Sequence, residues 1–209
     1  MSFGNEKREE QYNTQHYFSE KQDSSFVPKK ITVSVAGLRF ELFSAKGVFS
    51  KRELDPGSKV LIESAVVASG ARTLDLGCGY GIVGISIKKK CPSVDLSLSD
   101  VNERALRLTR MNLELHRMKA KVIHSDGFSN IGECFDVILL NPPQSAGKDV
   151  CFRLIKESFS HLCSGGSLQL VARPSKGGRT LAYNMKDVFG NASVIGKRGG
   201  FSVYMSVKS

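Results

Sequence analysis

The stretch Thr73-Leu74-Asp75-Leu76-Gly77-Cys78-Gly79-Tyr80-Gly81 decides the fold of this 209-residue chain. A short apolar run passes into a turn with glycine at alternate positions, and a helical pattern follows. Glycine allows a tight turn and lets a ligand approach the backbone where a Cβ atom would collide. The stretch therefore predicts a strand, a ligand-binding turn and a helix, although a turn that uses glycine only as a cap remains the alternative.

The residues that follow repeat this alternation of strand and helix. Strands are expected near 72–76, 94–99, 121–124, 135–140 and 167–172, and helices near 81–90, 102–117, 149–162 and 178–189. Such alternation is typical of a parallel sheet with helices on both faces. Two strand-like runs, 193–195 and 201–207, end the chain with no helix between them, so they should pair antiparallel. We therefore predict an α/β, doubly wound, seven-stranded mixed sheet whose last strand is antiparallel.

The first 70 residues carry a different pattern. Residues 1–15 are polar with few apolar anchors and are predicted to form a flexible tail. Alternating apolar positions over 31–42, interrupted by Ala36-Gly37, predict a β-hairpin, and Ser58 is expected to cap a helix from Lys59 to about Ser69. We expect a tail over 1–15, an amino-terminal extension over 16–70 packed on the core, and the core itself over 71–209.

The composition is that of an ordinary globular domain, with 41% hydrophobic residues. No window approaches the roughly 18 apolar residues that span a bilayer, and the first residues lack the apolar segment of a signal peptide. The five cysteines form no CxxC pair, which disfavours a disulfide framework or a zinc site. We therefore expect a soluble cytoplasmic protein with reduced thiols, no metal and no membrane partner, and we favour a monomer.

Positive charge is concentrated near the carboxyl terminus. The whole chain carries a formal charge of +10, and residues 172–209 hold seven basic residues against one acidic residue. Such a surface attracts polyanions, of which nucleic acid is the commonest. A solvated basic surface without a specific partner remains the alternative.

Three carboxylates are predicted at one edge of the sheet. Asp75 lies two positions before the first glycine, where it would repel phosphate and suit a cationic or amine-bearing ligand. Asp100 ends the second strand, a position at which carboxylates typically accept ribose hydroxyls. Asp126 follows the third strand, although an aspartate there is equally common in ordinary turns.

These features, taken in order, resemble a known family. The motif DLGCGYG (75–81), the acidic ends of the next two strands, and NPPQ (141–144) are similar to those of class I S-adenosylmethionine-dependent methyltransferases. HYFSEK (16–21), GVFS (47–50), DPGSK (55–59) and NPPQSAGK (141–148) resemble the small-domain group, which includes ribosomal RNA guanine-N2 methyltransferases and short archaeal homologues. The resemblance covers residues 16–207. It implies a Rossmann-like fold, with S-adenosylmethionine as the cofactor and S-adenosylhomocysteine as the product.

The resemblance also implies which residues hold that cofactor. Asp75 and the turn would bind its amino acid moiety, Asp100 its ribose, and Asp126 with two neighbours its adenine. The segment 47–50 would fold over the cofactor from the amino-terminal side. The full set of candidates is Asp75, Gly77, Cys78, Gly79, Gly81, Asp100, Asp126, Gly127, Phe128, Phe49, Ser50 and Asn141.

The motif Asn141-Pro142-Pro143-Gln144 supplies the candidate catalytic residues. It follows a buried strand, and its prolines stiffen the loop and leave carbonyl groups as acceptors. The Asn141 side-chain oxygen and the Pro142 carbonyl can accept both N–H groups of an exocyclic amine. That arrangement would turn the nitrogen lone pair toward the methyl group for in-line transfer. A Pro-Pro turn that merely closes a strand remains the alternative.

Gln144 departs from the pattern of relatives that act on adenine or on protein glutamine, where this position is often aromatic and stacks on the target. The N2 amine of guanine is therefore the favoured target, and the resemblance implies ribosomal RNA as the molecule that carries it. Another aromatic side chain, Tyr17, Phe18 or Phe128, could stack in its place, or Gln144 could bind a base edge. Transfer RNA guanine or adenine, protein glutamine, and a non-catalytic binding module remain alternatives.

The predicted RNA contacts are basic residues that follow strands at the same edge of the sheet. Lys148 lies shortly after the NPPQ motif, and Arg173, Lys176 and Arg179 follow the fifth strand. We expect these four side chains to meet phosphates, with Tyr17 and Phe18 beside the substrate.

Overall fold

The computed structural model describes residues 26–45, 54–142 and 147–209. Its hairpin strands are β1 (Lys29–Val35) and β2 (Leu38–Ser44), and its sheet strands are β3 (Arg72–Leu76), β4 (Asp95–Asp100), β5 (Lys121–His124), β6 (Phe135–Leu140), β7 (Leu162–Ala172), β8 (Ser193–Arg198) and β9 (Phe201–Val207). The described helices are α1 (Pro56–Ser64), α2 (Ile82–Lys90), α3 (Glu103–Leu115), α4 (Lys148–Ser160) and α5 (Gly178–Phe189), with a 3-10 turn over Pro174–Lys176. All these helices are too short or too polar to cross a bilayer.

The sheet has the strand order β5-β4-β3-β6-β7-β9-β8. Strand β9 runs antiparallel to both of its neighbours, and the other neighbouring strands pair in parallel. The predicted seven-stranded mixed sheet is therefore confirmed. The chain winds outward from β3 in one direction and then returns to place β6 on its other side, so the crevice at the carboxyl ends of β3, β4 and β6 is a topological switch point.

Alternate residues of the central strands pack into two separate hydrophobic clusters. Leu74 and Ile138 face the cluster beneath α4 and α5, whereas Leu98 and Leu139 face the cluster beneath α2 and α3. Successive strand residues point to opposite faces, so a strand that is covered on both sides buries side chains in both clusters. Val33 and Leu42 of the hairpin belong to the α2/α3 cluster, which joins the hairpin to the core.

Helix α1 differs from its prediction at both ends. It begins at Pro56, because the Asp55 carboxylate caps it by accepting from the Ser58 backbone N–H at 2.7 Å. It ends at Ser64, since the backbone of Val66 exchanges two hydrogen bonds with the Gln169 side chain on β7. The expected cap at Ser58 and the expected end near Ser69 are therefore wrong.

Candidate active site

The glycine turn faces open space at the carboxyl edge of the sheet. Gly77 and Gly79 have φ values of +70° and +59°, and a Cβ atom on either would meet nothing within 4 Å. Gly84, by contrast, has no room, since a Cβ atom there would lie 2.9 Å from a Leu98 methyl group. The first two glycines thus keep a cradle open for a ligand, while Gly84 lets α2 pack closely on the sheet.

Asp75 lies beneath this turn with only 3% of its surface exposed. Its Oδ2 accepts a hydrogen bond of 2.8 Å from the Gly84 backbone N–H, near the start of α2. Burial raises the pKa of Asp75 to about 7, and the negative charge of Asp100 adds to the rise. Near neutral pH this carboxyl group therefore exchanges between its charged and uncharged forms.

This raised pKa predicts how the stability of the ligand-free protein depends on pH. Between about pH 4 and pH 7 the folded protein retains a proton that the unfolded chain has released, so the free energy of unfolding falls as the pH rises. Asp75→Asn keeps an oxygen that can accept from Gly84 and cannot ionise. Its stability relative to the unsubstituted protein should therefore increase by at most about 4 kcal/mol across this window. Urea unfolding at several pH values measures the difference, and parallel stability curves for the two proteins would contradict it.

Asp100 is clamped against the glycine turn. Its Oδ2 accepts from the Gly79 backbone N–H and its Oδ1 from the Asn102 backbone N–H, both at 2.8 Å. The carboxylate is buried at the end of β4. Asp100 thus joins the ends of β3 and β4 beside the cradle.

The end of β5 is built differently. Asp126 is exposed and forms an ion pair of 2.7 Å with Arg153. The Phe128 ring is buried and stacks on the ring of His161, with the ring centroids 4.3 Å apart. In this arrangement the Phe128 ring contributes to packing, so it offers no stacking surface to a target base.

Asn141 is held by two side chains from the amino end of α1. Its Nδ2 donates to Asp55 Oδ2 at 2.9 Å and to Ser58 Oγ at 3.0 Å. A carboxylate only accepts hydrogen bonds, so the nitrogen of the amide must face Asp55. The Asn141 Oδ1 consequently points away from that pair, and no described residue donates to it. The site therefore presents one oriented acceptor at the end of β6.

Two contacts connect Asn141 to its surroundings. A Cβ atom on Gly57 would lie 3.4 Å from Asn141 Oδ1 and 3.1 Å from the Phe201 ring, so Asn141 and Phe201 flank the same glycine. The Arg173 guanidinium lies over the Phe201 ring, 4.5 Å from the ring centroid. The start of β9 and the end of β7 thus border Asn141.

Tyr80 belongs to the glycine turn, and the charge of Asp55, a partner of Asn141, acts on its hydroxyl group. Its side chain is buried, and its hydroxyl group has no hydrogen-bond partner within the described ranges. Burial, followed by the negative charge of Asp55, raises the pKa of Tyr80. A buried hydroxyl without a partner is costly, so this group is a donor available to a ligand or an ordered water.

Two polar residues of α3 support the turn from behind. Thr109 Oγ1 donates to the Gly79 carbonyl at 2.9 Å, and Asn112 Nδ2 donates to the Tyr80 carbonyl at 2.9 Å. The Asn112 amide also exchanges hydrogen bonds of 2.6 and 3.0 Å with the backbone of Phe43 in the hairpin. Sequence reasoning missed both residues. The signal available was a pair of polar side chains, three residues apart, on the otherwise apolar face of α3.

The remaining predicted residues are distributed as follows. Tyr17, Phe18, Phe49, Ser50, Pro143 and Gln144 lie outside the described residues. Pro142 is buried, Gly127 has a φ of +56°, and Gly81 is the residue before α2. Lys148 is the first residue of α4, Lys176 ends the 3-10 turn and Arg179 lies in the first turn of α5.

Burial raises the pKa of the Cys78 thiol well above its usual range, so this thiol stays uncharged. No group of three or more potential metal ligands occurs in the part of the chain that the structure describes.

Comparison with known proteins identifies a family. The methyltransferase small domain matches residues 39–205. YbxB of Bacillus subtilis is 34% identical over 201 residues, which make up 93% of this chain and 99% of that protein. Ribosomal RNA small subunit methyltransferase C of Haemophilus influenzae is 36% identical over 174 residues, which make up 80% of this chain and 51% of that enzyme.

A solved structure shares the fold. The T. thermophilus 16S rRNA N2 methyltransferase RsmC, in complex with AdoMet and guanosine, has a TM-score of 0.77 at 23% identity. The alignment covers 90% of this chain and 52% of that one. The chain thus spans about half the length of the ribosomal RNA methyltransferases that it matches.

Proposed function

The chain belongs to the methyltransferase small domain family and is an S-adenosylmethionine-dependent methyltransferase, and from this premise we propose that it methylates the exocyclic N2 amine of guanine in ribosomal RNA. The orientation of Asn141 carries the proposal. Both N–H groups of its amide are taken up by Asp55 and Ser58, so the side chain can only accept through Oδ1. An exocyclic amine has two N–H donors and matches such an acceptor.

The glycine turn and its carboxylates fit S-adenosylmethionine. The cofactor supplies a methyl group that is already activated by a positive sulfur. The open space beside Gly77 and Gly79 can admit its amino acid moiety, and Asp75 lies beneath this turn. Asp100 would bind its ribose. Tyr80 adds a buried hydroxyl donor within the turn, near Asp55.

In this proposal the chain catalyses transfer by orientation. Asn141 Oδ1 accepts one N–H of the guanine amine and the Pro142 carbonyl accepts the other. The nitrogen lone pair would then point at the methyl carbon of bound S-adenosylmethionine. As the N–C bond formed, the electron pair of the S–C bond would stay on sulfur to give S-adenosylhomocysteine, and the amine would release one proton to solvent water. Alignment of this kind lowers the barrier because it removes the entropy cost of bringing the reactants together.

Two observations support RNA as the substrate: the positive charge near Asn141 and the names of the relatives. Arg173, Lys176 and Arg179 follow β7 at the edge that carries Asn141, and Lys148 begins the helix after the NPPQ motif. Cations placed around an amine-binding site suit the phosphates of an RNA strand. The relatives named as ribosomal RNA methyltransferases support ribosomal RNA over transfer RNA. Such a substrate also implies a cytoplasmic location.

The direct test is transfer of labelled methyl groups from S-adenosylmethionine to RNA from cells that lack this protein. The RNA should be supplied both free and as assembled ribosomal particles, then digested to nucleosides. Label in N2-methylguanosine of ribosomal RNA is expected. Label in another nucleoside, in transfer RNA or only in protein would overturn the proposed substrate.

Asp55 provides a further prediction, as a positioning residue that acts through Asn141. Asp55→Asn preserves the cap of α1, since asparagine caps helices as well as aspartate does. It removes the acceptor-only partner that orients the Asn141 amide, so the turnover number should fall by about 10-fold to 100-fold. Cofactor affinity should stay unchanged.

Ser58→Ala is the matched control, because it removes the other partner of Asn141 Nδ2 and leaves Asp55 in place. Its turnover number should fall less than that of Asp55→Asn. Turnover under saturating substrates and cofactor binding by calorimetry separate the two effects. Equal turnover in Asp55→Asn and the unsubstituted protein would contradict the positioning role.

A further inference from the structure

An open groove of about 520 Å³ lies beside the candidate active site, between α5 and the β8–β9 hairpin. Its walls include Pro174, Arg179, Val194, Lys197, Arg198 and Phe201. Its size is within the range of ligand-binding clefts. None of the described residues that line it is acidic. This basic groove is not used by the transfer step described above.

The charge of the basic groove is only partly neutralised. Arg198 donates to Glu63 at 2.8 Å. Arg179 and Lys197 are exposed and have no ion-pair partner among the described residues. Arg179 lies on α5 and Lys197 lies on β8. Two unpaired cations on opposite walls of one groove form a site for an anion with spaced charges.

The basic groove begins one side chain away from Asn141. Phe201 is one of the residues that line the groove, and a Cβ atom on Gly57 would lie 3.1 Å from its ring and 3.4 Å from Asn141 Oδ1. Arg173 lies over the same ring. Phe201 therefore adjoins both Asn141 and the basic groove, which places the groove beside the candidate active site.

An exposed aromatic side chain, Tyr183, lies near Arg179 of the basic groove. Tyr183 is 70% exposed, and it lies four residues after Arg179 on α5, so both side chains occupy the same face of the helix. Val194 in the groove is 45% exposed. Exposed aromatic and apolar groups beside cations are the surface on which unstacked bases of RNA pack.

We propose that the basic groove binds the RNA strand that flanks the target guanine, with Arg179 and Lys197 contacting phosphates and Tyr183 stacking on a base. The inference rests on the proposed function, because RNA is the polyanion that is covalently continuous with a guanine at Asn141. It extends that function by assigning the path of the substrate. A segment of acidic protein is the competing occupant.

The test compares variants of the full chain with the unsubstituted protein in binding a short fluorescent RNA hairpin with guanine in its loop. One variant carries Arg179→Ala with Lys197→Ala, and another carries Arg110→Ala with Lys119→Ala. The Arg110 and Lys119 substitutions likewise remove one arginine and one lysine, but from exposed positions near the β5 edge of the sheet. Fluorescence anisotropy over a series of salt concentrations gives affinity and its salt dependence.

The groove variant should bind the hairpin about 10-fold more weakly, and the slope of log affinity against log salt should become shallower by about 1 for each lost phosphate contact. The Arg110/Lys119 variant should match the unsubstituted protein. Tyr183→Ala should weaken binding without changing the slope, because stacking releases no counterions. Equal affinities and slopes in the groove variant and its control would overturn the proposal.

Methyl transfer to ribosomal RNA, measured with the same proteins, separates the two proposals. Transfer by the unsubstituted protein together with equal RNA affinities would overturn the groove and leave the proposed function standing. Weaker RNA binding by the groove variant, when the unsubstituted protein transfers no methyl to RNA, would support the groove and overturn the proposed function. Displacement of the hairpin by poly-glutamate at an equal concentration of charge would overturn RNA as the occupant.

Discussion

In an Asn141→Ala variant, the turnover number for methyl transfer is expected to fall by about 100-fold or more. The substitution removes the only oriented side-chain acceptor that the structure places at the end of β6 within the described residues. Without it, the amine is free to rotate away from the line of transfer. Cofactor affinity should change little, because the glycine turn, Asp75 and Asp100 are untouched.

Single-turnover kinetics and calorimetry of cofactor binding measure these two effects separately. The fold should survive, since Asp55 still caps α1 through the Ser58 backbone. Asn141→Asp is a useful companion variant, because it keeps an oxygen in place but sets a second carboxylate against Asp55. It should also be strongly impaired. A parallel loss of cofactor affinity and turnover in Asn141→Ala would contradict the division of roles.

Asp100→Ala should weaken cofactor binding by about 100-fold, which corresponds to the loss of about 3 kcal/mol of charge-assisted hydrogen bonding to the ribose. The same change leaves the buried backbone N–H groups of Gly79 and Asn102 without their acceptor. The free energy of unfolding should therefore fall by about 1–3 kcal/mol as well.

Cofactor titration by calorimetry and urea unfolding of the ligand-free protein check this prediction. Asp126→Ala serves as the comparison, because it removes a carboxylate from the same edge that is exposed and paired only with Arg153. Its effect on cofactor affinity should be several-fold at most. Unchanged affinity in a folded Asp100→Ala variant would remove Asp100 from the cofactor site.

The central part of the fold was predictable because its signals are local. Strand β3, the glycine turn and α2 follow one another along the chain, and β6 ends in the continuous apolar run Val137–Leu140. The antiparallel end of the sheet was predictable for a similar reason. Only a turn, and no crossover helix, joins β8 to β9.

The extent of α1 was not predictable in this way. Asp55 and Ser58 are both good capping residues, and the pattern of residues 55–69 alone does not choose between them. The end of the helix depends on Gln169, which is 103 residues from Val66 in sequence. A contact across that separation leaves no trace in local periodicity.

Local sequence was sufficient to specify the order of strands and helices along the chain, the edge of the sheet that carries Asp75 and Asp100, and Asn141 as the residue that follows β6. It could not specify the orientation of the Asn141 amide, which depends on Asp55 at a separation of 86 residues. Nor could it bring Arg179 and Lys197 together around one groove beside Phe201. Propensity and hydrophobic periodicity are properties of neighbouring residues, whereas hydrogen-bond partners and surface charge arise only when distant elements pack against each other.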